Sequence, residues 1–388
     1  MKVYIGCFGS GLGHASRMLE MAGALSARGA KVEFSSSGEA AELVRGRGYR
    51  CNSLPLADVR YSEDGEFLVK ETLLDTPAIL ARSYRQLAGE LANIRRFAPD
   101  AVLGDSALPT VLAGKILRLP TFTVLNQLNL TSSHSKTNPL SRLLSVGIST
   151  GMGRLWKLSD GIFLPDLPPP YTVSEKNLWG SGVAKARYVG FISPAGGTAP
   201  DGPAQEFVRD TRTKVFWQVS GPPRTRLPFL RKALELSEGL SDRYVFVVTG
   251  GDPAGNTTAI HIPGGWFYGW CEIAGFYFRN CDLVVSRAGH GTVGQTMLAA
   301  KPSILVPIPK QPEQEGNADK AARLGVSLVV KQEELTFDVL EQSLARLSDE
   351  RYRIRASVLG GLAAEYDAKD SMVAELESAA TRGRRGPR

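Results

Sequence analysis

Short runs of apolar residues alternate with segments of helical periodicity along most of the chain. The first run covers residues 3–7, and after a glycine-rich loop Met18, Ala22 and Leu25 recur on one face of a helix. A second strand is predicted at residues 31–35. Strand, glycine loop, helix and strand in this order are typical of a βαβ unit in a parallel sheet. The N-terminal part of the chain therefore predicts an α/β domain.

The same order of elements recurs on both sides of a break in composition. Residues 193–204 are rich in proline, glycine and alanine, which is typical of an interdomain linker. Strands are predicted around it at residues 100–105, 120–125, 215–219, 244–248, 282–285 and 303–306. The pattern predicts an α/β fold of two Rossmann-like, doubly wound domains that face each other across a cleft.

The domain boundaries follow from this pattern. We expect an N-terminal domain at residues 1–192, a linker at 193–213 and a C-terminal domain at 214–375, whose last helix is a candidate to return to the N-terminal domain. The end of the chain is rich in arginine and contains few apolar residues. It predicts a basic disordered tail at residues 376–388.

Length and composition are typical of a soluble globular protein with two cores. The chain has 388 residues, of which 43% are hydrophobic and 22% charged. No apolar stretch is long enough for a membrane-spanning helix, and the N-terminus lacks the apolar segment of a signal peptide. The four cysteines are scattered without CxxC spacing, which argues against a zinc site or a disulfide framework. We expect a cytoplasmic protein.

The net charge of +7 is compatible with nucleic acid, an anionic membrane or an anionic small molecule as the partner. No zinc finger or RNA-binding aromatic signature accompanies the charge, so no nucleic acid partner is expected. Residues 139–157 combine apolar side chains with Arg142, Arg154 and Lys157. This segment is interpreted either as a basic amphipathic surface for peripheral membrane contact or as an ordinary helix and loop of the N-terminal domain.

A glycine-rich loop joins the first predicted strand to its helix. Gly11 and Gly13 let the backbone approach a ligand closely, and His14 stands at the start of the helix. Asp105 ends another predicted strand of the same domain. If the two side chains are in contact, Asp105 can accept the Nδ1 proton of His14 and leave Nε2 as a general base. The alternatives are a histidine that packs or caps locally and an aspartate that caps the next helix.

A second loop in the C-terminal half has the chemistry of an anion site. Residues 286–295 follow an apolar strand and open a helix, and their small residues expose backbone N–H groups at the positive end of the helix dipole. Arg287 adds a guanidinium suited to phosphate. One strand further on, residues 307–318 form a polar loop that leads into another helix. Each piece alone fits a turn and a capped helix, but their order favours a phosphate site.

Residues 9–17, 100–106 and 282–325 together resemble the GT-B glycosyltransferases. The resemblance is to the glycosyltransferase family 28 group, which contains the peptidoglycan N-acetylglucosaminyltransferase, and to its archaeal relatives. It implies a transferase that moves a sugar from a nucleotide-sugar donor, expected to be a UDP-sugar, to a hydroxyl acceptor with inversion. It also implies that His14 is the base and that Asp105 orients it. No DxD-like pair lies near these loops, so no metal ion or other cofactor is expected.

The same resemblance implies a donor site. Arg287 and the backbone of residues 289–292 match the pyrophosphate site, Gln314 matches a contact to the donor sugar, and Trp270 flanks the base. Gln295 stands where the family usually has a glutamate that binds the ribose, so the choice between UDP and another nucleotide stays open. With the glycines of the first loop, the predicted donor-site residues are Gly11, Gly13, Ser220, Gly221, Trp270, Arg287, Gly289, His290, Gly291, Thr292, Gln295, Gln314 and Asn317.

The acceptor and the wider role remain open at this point. The amphipathic segment suggests a lipid-linked acceptor and a location at the inner face of the cell membrane. A nucleotide-sugar 2-epimerase has the same two-domain design but needs further acidic residues in the cleft. A non-catalytic subunit that binds a nucleotide-sugar is the other alternative.

Overall fold

The computed structural model describes residues 1–56, 74–127, 153–178, 186–193 and 202–385. These residues form two compact units. Unit 1 contains the described residues of 1–192 together with those from 366 onward, and unit 2 contains those of 193–365. Each unit has its own largely parallel sheet with helices, which confirms the prediction of two doubly wound α/β domains.

Unit 1 is built on a seven-stranded parallel sheet. Every residue of its central strand Ala101–Asp105 is buried, which explains why this strand is an uninterrupted apolar run up to the aspartate. The strands, in chain order, are β1 (Lys2–Cys7), β2 (Lys31–Ser36), β3 (Cys51–Ser53), β4 (Ala101–Asp105), β5 (Thr121–Val124), β6 (Gly161–Leu164) and β7 (Ala186–Tyr188). The sheet order is β3-β2-β1-β4-β5-β6-β7. The helices are α1 (Gly13–Ala27), α2 (Gly38–Gly46), α3 (Thr76–Phe97), α4 (Leu108–Ile116) and α5 (Glu175–Leu178).

Unit 2 repeats the design with a second seven-stranded sheet, in which only the edge hairpin is antiparallel. Its core includes the fully buried Trp217, Phe229 and Phe246. The strands are β8 (Thr213–Gln218), β9 (Tyr244–Thr249), β10 (Ile260–Ile262), β11 (Gly265–Tyr268), β12 (Leu283–Ser286), β13 (Ser303–Leu305) and β14 (Ser327–Val329), in the order β10-β11-β9-β8-β12-β13-β14. The helices are α6 (Pro203–Arg209), α7 (Pro223–Gly239), α8 (Ala274–Asn280), α9 (His290–Leu298), α10 (Pro312–Arg323), α11 (Phe337–Leu347) and α12 (Glu350–Ala364).

The strand order places the predicted site residues at the point where each sheet reverses its winding. In unit 1 the chain moves outward from β1 to β2 and β3, and then returns to β4 on the other side of β1. In unit 2 the same reversal separates β8 from β12. Ligands of open α/β sheets bind at the carboxyl ends of such strands. His14 lies beyond the loop after β1, Asp105 ends β4, and residues 286–295 run from the end of β12 into α9.

The last helix, α13 (Ala368–Arg385), belongs to unit 1 and packs against α1. Met372, Val373 and Leu376 on this helix are fully buried. The prediction of a disordered tail from residue 376 is therefore wrong for residues 376–385. The arginine content suggested disorder, but an apolar stripe on the helix is covered by unit 1 and stabilises it.

Parts of the predicted linker and of the candidate membrane segment, residues 194–201 and 139–152, lie outside the described residues. In the remainder of the membrane segment, Arg154 and Lys157 are exposed. Trp156, in contrast, is 3% exposed and belongs to the hydrophobic core of unit 1. At this residue the ordinary helix-and-loop interpretation is the better one. Within the described ranges, no helix is long and apolar enough to cross a membrane.

Candidate active site

The structure brings His14 and Asp105 together at the carboxyl ends of two neighbouring strands. His14 lies in the first turn of α1, and Asp105 is the last residue of β4. Nδ1 of His14 is 2.9 Å from Oδ1 of Asp105. The backbone N–H of Phe8 donates to the carbonyl oxygen of Asp105 at 3.0 Å, which fixes the loop after β1 against β4. The two residues therefore have the contact that a base and its orienting carboxylate require.

A third charged residue, Arg17, completes this cluster and was not predicted. It lies one helical turn after His14 on α1. Its Nε and Nη2 atoms donate to the two carboxylate oxygens of Asp105. Nη2 is also 3.2 Å from Oδ1 of Asn126 and 3.0 Å from Nδ1 of His14. His14, Arg17, Asp105 and Asn126 therefore form one cluster of interacting side chains.

The sequence contains a signal for Arg17 but not for Asn126. Residues three positions apart on a helix are neighbours, so an arginine three residues after His14 lies beside it once the helix is predicted. Asn126 follows β5, and it reaches the cluster only because β5 pairs with β4. That pairing depends on the strand order, which the sequence does not reveal.

Burial and charge act in opposite directions on Asp105. Its side chain has no exposed surface, and burial alone would raise its pKa. The charge of Arg17, the interaction with His14 and the hydrogen bonds from both outweigh burial and lower the pKa of Asp105 to about 2. His14 is the most accessible of these three residues, with 22% of its side chain exposed. The imidazole is thus the group of the three that is best placed to reach a ligand.

The loop that carries His14 has an open, unusual backbone. Gly11 has φ 73°, in the left-handed region that favours glycine. A Cβ added to Gly13 would meet no other protein atom within 4 Å. The ring of Phe8 packs edge-on against the His14 ring, with 5.7 Å between the centroids. Ser106, directly after Asp105, has φ 50°, and such strained residues concentrate at functional sites.

In unit 2 the N-terminus of α9 has the predicted character of an anion site. Gly289 is the residue before the helix, with φ −64° and ψ 137°, and Gly291 lies in the first turn. A Cβ added at either position would have no other protein atom within 4 Å. The packing of the chain itself therefore does not require glycine at either position. The first N–H groups of a helix have no partner within the helix. Because Gly289 and Gly291 place no side chain over this helix end, it fits an anionic ligand.

Arg287, which was assigned to the pyrophosphate site, is a buried structural residue in this fold. It is 1% exposed, and Nη1 donates to the carbonyl oxygens of Val306 and Pro307 at 3.2 and 3.3 Å. Nη2 donates to the carbonyl oxygen of Thr225 at 2.9 Å, and the guanidinium lies 4.2 Å from the centroid of the Phe229 ring. Burial lowers the pKa of Arg287 to about 9. These contacts correct the assignment: Arg287 holds neighbouring loops together and does not present its guanidinium to a phosphate.

Two further predicted residues also support the loops of unit 2. Gln314 is buried, and its Oε1 accepts the backbone N–H of Ile308 at 3.0 Å. Asn317 is fully buried, and its Nδ2 donates to the carbonyl oxygen of Ala288 at 3.0 Å. Asn317 therefore stabilises the loop before α9 from inside unit 2, which corrects its assignment to direct donor contact. The contact of Gln314 with the donor sugar stays a prediction.

The remaining predicted donor residues of unit 2 lie at the same edge of its sheet. Trp270 and Gln295 are half-buried, whereas His290 is 4% exposed. By position, they are Ser220 and Gly221 after β8, Trp270 after β11, and His290, Thr292 and Gln295 in the first two turns of α9.

Comparison with known proteins gives matches along the whole chain. Residues 272–370 match the glycosyltransferase family 28 C-terminal domain. The chain is 28% identical to an uncharacterized glycosyltransferase of Methanosarcina mazei, over 98% of this chain and 99% of that protein. Over 78 residues, 20% of this chain and 21% of the relative, it is 45% identical to the UDP-N-acetylglucosamine–N-acetylmuramyl-(pentapeptide) pyrophosphoryl-undecaprenol N-acetylglucosamine transferase of Prochlorococcus marinus.

Solved structures resemble the chain over nearly its full length. The spinosyn rhamnosyltransferase complexed with thymidine diphosphate has a TM-score of 0.70 at 19% identity, over 97% of this chain and 100% of that one. A glycosyltransferase of Streptomyces sp. SF2575, also complexed with thymidine diphosphate, has a TM-score of 0.66 at 20% identity, over 97% and 99%. The fold is that of the GT-B glycosyltransferases. With a family 28 C-terminal domain at residues 272–370 and glycosyltransferase relatives over nearly its full length, the chain is a glycosyltransferase with this fold.

Replacing Asp105 by asparagine leaves the buried Arg17 without its counter-charge. We expect the free energy of unfolding to fall by about 3–5 kcal/mol at pH 7. Because the pKa of Asp105 is lowered to about 2 in the folded state, from about 4 in an unfolded chain, the stabilisation by its carboxylate is present above pH 4 and is lost as the pH falls towards 2. Urea denaturation should therefore show the two proteins converging below pH 4.

The matched control is Asp370→Asn, which removes the carboxylate of an exposed ion pair with Arg28 on the same unit. Its expected cost is below about 1 kcal/mol. Equal losses of stability in the two variants at pH 7 would contradict the buried charge pair of Asp105 and Arg17.

Proposed function

We propose that this glycosyltransferase transfers a sugar, with inversion, from a nucleotide-sugar donor to a hydroxyl acceptor, and that His14 is the general base. The observation that carries the proposal is the 2.9 Å contact between Nδ1 of His14 and Oδ1 of Asp105 at the winding reversal of unit 1. With Nδ1 bound to a carboxylate, Nε2 is free to accept a proton. The family 28 domain in unit 2 supports a nucleotide-sugar as the donor.

The proposed reaction is a single displacement. The acceptor oxygen attacks the anomeric carbon while Nε2 of His14 takes the hydroxyl proton. The bond between the anomeric carbon and the diphosphate oxygen breaks, and the nucleoside diphosphate leaves with the electron pair. The N–H groups at the start of α9, around Gly289 and Gly291, stabilise the charge that develops on the diphosphate. Asp105 stabilises the imidazolium that forms.

The donor is proposed to be a UDP-sugar, and no metal ion is required. A relative that is 45% identical over 78 residues is named for a UDP-sugar donor, whereas two structural neighbours were solved with thymidine diphosphate. Sequence similarity over this stretch favours UDP, because the structural neighbours are only about one-fifth identical to this chain. Trp270 and Gln295 at the same edge of unit 2 are the proposed contacts to the base and the ribose.

The acceptor is proposed to be lipid-linked, which places the protein in the cytoplasm at the inner face of the membrane. Support comes from the relative of Prochlorococcus marinus, whose name specifies a pyrophosphoryl-undecaprenol acceptor. The net charge of +7 suits contact with anionic lipid headgroups.

Donor turnover tests this function. Purified protein is incubated with UDP-, GDP- and dTDP-sugars, with and without EDTA, and the released nucleoside diphosphate is measured. We expect slow release from a UDP-sugar, unaffected by EDTA, and a loss of at least about 100-fold in His14→Ala, because a positioned base contributes that much. Release of an epimerised sugar still attached to its nucleotide would instead assign a 2-epimerase. Equal turnover by His14→Ala and the unchanged protein would contradict the role of His14.

Gly291→Ala separates donor binding from stability. Apart from its chain neighbours and the backbone of its own helix, a Cβ at this position meets no protein atom within 4 Å, and alanine favours a helix over glycine by up to about 1 kcal/mol. We therefore expect unchanged or higher thermal stability, together with at least about tenfold weaker binding of UDP, because the methyl group occupies the space of the diphosphate. Isothermal titration with UDP measures the affinity.

Gly361→Ala is the control, since it also adds a methyl group to a helical glycine with open space around it, on α12. It should keep the affinity of the unchanged protein. Full UDP affinity in Gly291→Ala would contradict a diphosphate site at the start of α9.

A further inference from the structure

The Nη2 atom of Arg17 has more acceptors around it than it has hydrogens. It lies within hydrogen-bonding distance of Oδ1 of Asp105, of Oδ1 of Asn126 at 3.2 Å and of Nδ1 of His14 at 3.0 Å. A guanidinium Nη atom carries two hydrogens, so it can serve two of these three neighbours. Which two it serves decides where the proton of His14 lies.

The two oxygen atoms are the acceptors that need these hydrogens. The Asp105 carboxylate is buried and can only accept, because its pKa lies far below neutrality. The amide of Asn126 must turn its oxygen towards Arg17, because the opposite orientation would set two donors against each other. With both Nη2 hydrogens donated to oxygens, none remains for Nδ1 of His14. Nδ1 must then carry its own proton and donate it to Oδ1 of Asp105 at 2.9 Å.

We infer that Arg17 and Asn126 are positioning residues that fix His14 in the Nδ1–H tautomer and so keep Nε2 free of a proton. Asn126 occupies the second Nη2 hydrogen of Arg17, and without that acceptor the nearest remaining one is Nδ1 of His14. An Arg17–His14 hydrogen bond would move the ring proton to Nε2, where the imidazole can no longer act as a base. The consequence for catalysis rests on the proposed function, but the tautomer does not.

The burial of the partners strengthens this arrangement. Arg17, Asp105 and Asn126 are 7%, 0% and 5% exposed, so water competes little for their hydrogen bonds. Around the imidazole, the described contacts are those with Asp105, Arg17 and the ring of Phe8. The position of the ring proton is thus set by a small group of largely buried side chains.

The matched variants are Asn126→Asp and Asn126→Leu. Both remove the amide N–H₂ group and have nearly the size of asparagine, but only aspartate keeps an oxygen that can accept from Arg17. The tautomer of His14 is read directly from ¹⁵N-histidine-labelled protein by long-range ¹H–¹⁵N NMR at pH 8.5. The variant His14→Gln assigns its signal among the four histidines, and the other three histidines report on the integrity of the fold.

We expect the Nδ1–H tautomer in the unchanged protein and in Asn126→Asp. In Asn126→Leu, the ratio of the two tautomers should shift towards Nε2–H by at least about tenfold, the effect of exchanging one buried charge-assisted hydrogen bond. Transfer or donor turnover should fall in parallel, with the UDP affinity unchanged. A Nε2–H tautomer in the unchanged protein, or the same tautomer in both variants, would overturn the inference. A tautomer shift as expected in a protein without any transferase activity would instead refute the proposed function alone.

Discussion

The buried ion pair between Arg17 and Asp105 is the interaction on which the proposed active site depends. Both carboxylate oxygens of Asp105 accept hydrogen bonds from Arg17, in a position from which water is excluded. Such a pair is held in place because each buried charge is compensated by the other. Removal of one partner leaves an uncompensated charge in the interior. Asp105 therefore offers His14 a fixed acceptor, and the imidazole keeps its orientation without any contact to a substrate.

The parallel sheets explain why chemistry collects at these loops. In unit 1, β4 lies between β1 and β5, so the residues that follow all three strands meet at one edge of the sheet. His14, Asp105 and Asn126 come from these three places. Unit 2 has the same geometry with different residues. After β12 the chain enters α9 through Gly289 and Gly291, which have open space around them, while Arg287 is buried. One unit thus positions the imidazole of His14 and the other a helix N-terminus suited to an anion.

The sequence predicted the architecture well because buried parallel strands are continuous apolar runs, and β1, β4, β9 and β12 are of this kind. It also predicted the contact between His14 and Asp105, since one lies just beyond the loop after β1 and the other ends β4. Arg287 shows the limit of this reasoning: a basic residue beside a phosphate-type loop is equally suited to bind backbone carbonyls, and only the three-dimensional surroundings distinguish the two. Asn126 needed the strand order, and the burial of Leu376 needed the surface of unit 1 that covers it.

Chemical rescue tests most directly whether His14 is the base. In His14→Gly, the missing imidazole leaves a space beside Asp105, and imidazole added to the buffer can enter it and accept the proton. We expect imidazole to raise the rate of sugar transfer by His14→Gly at least about tenfold, with saturation, and to leave the unchanged protein unaffected. If His14→Gly binds the donor normally but transfers at the same rate with and without imidazole, His14 is not the proton acceptor in this enzyme.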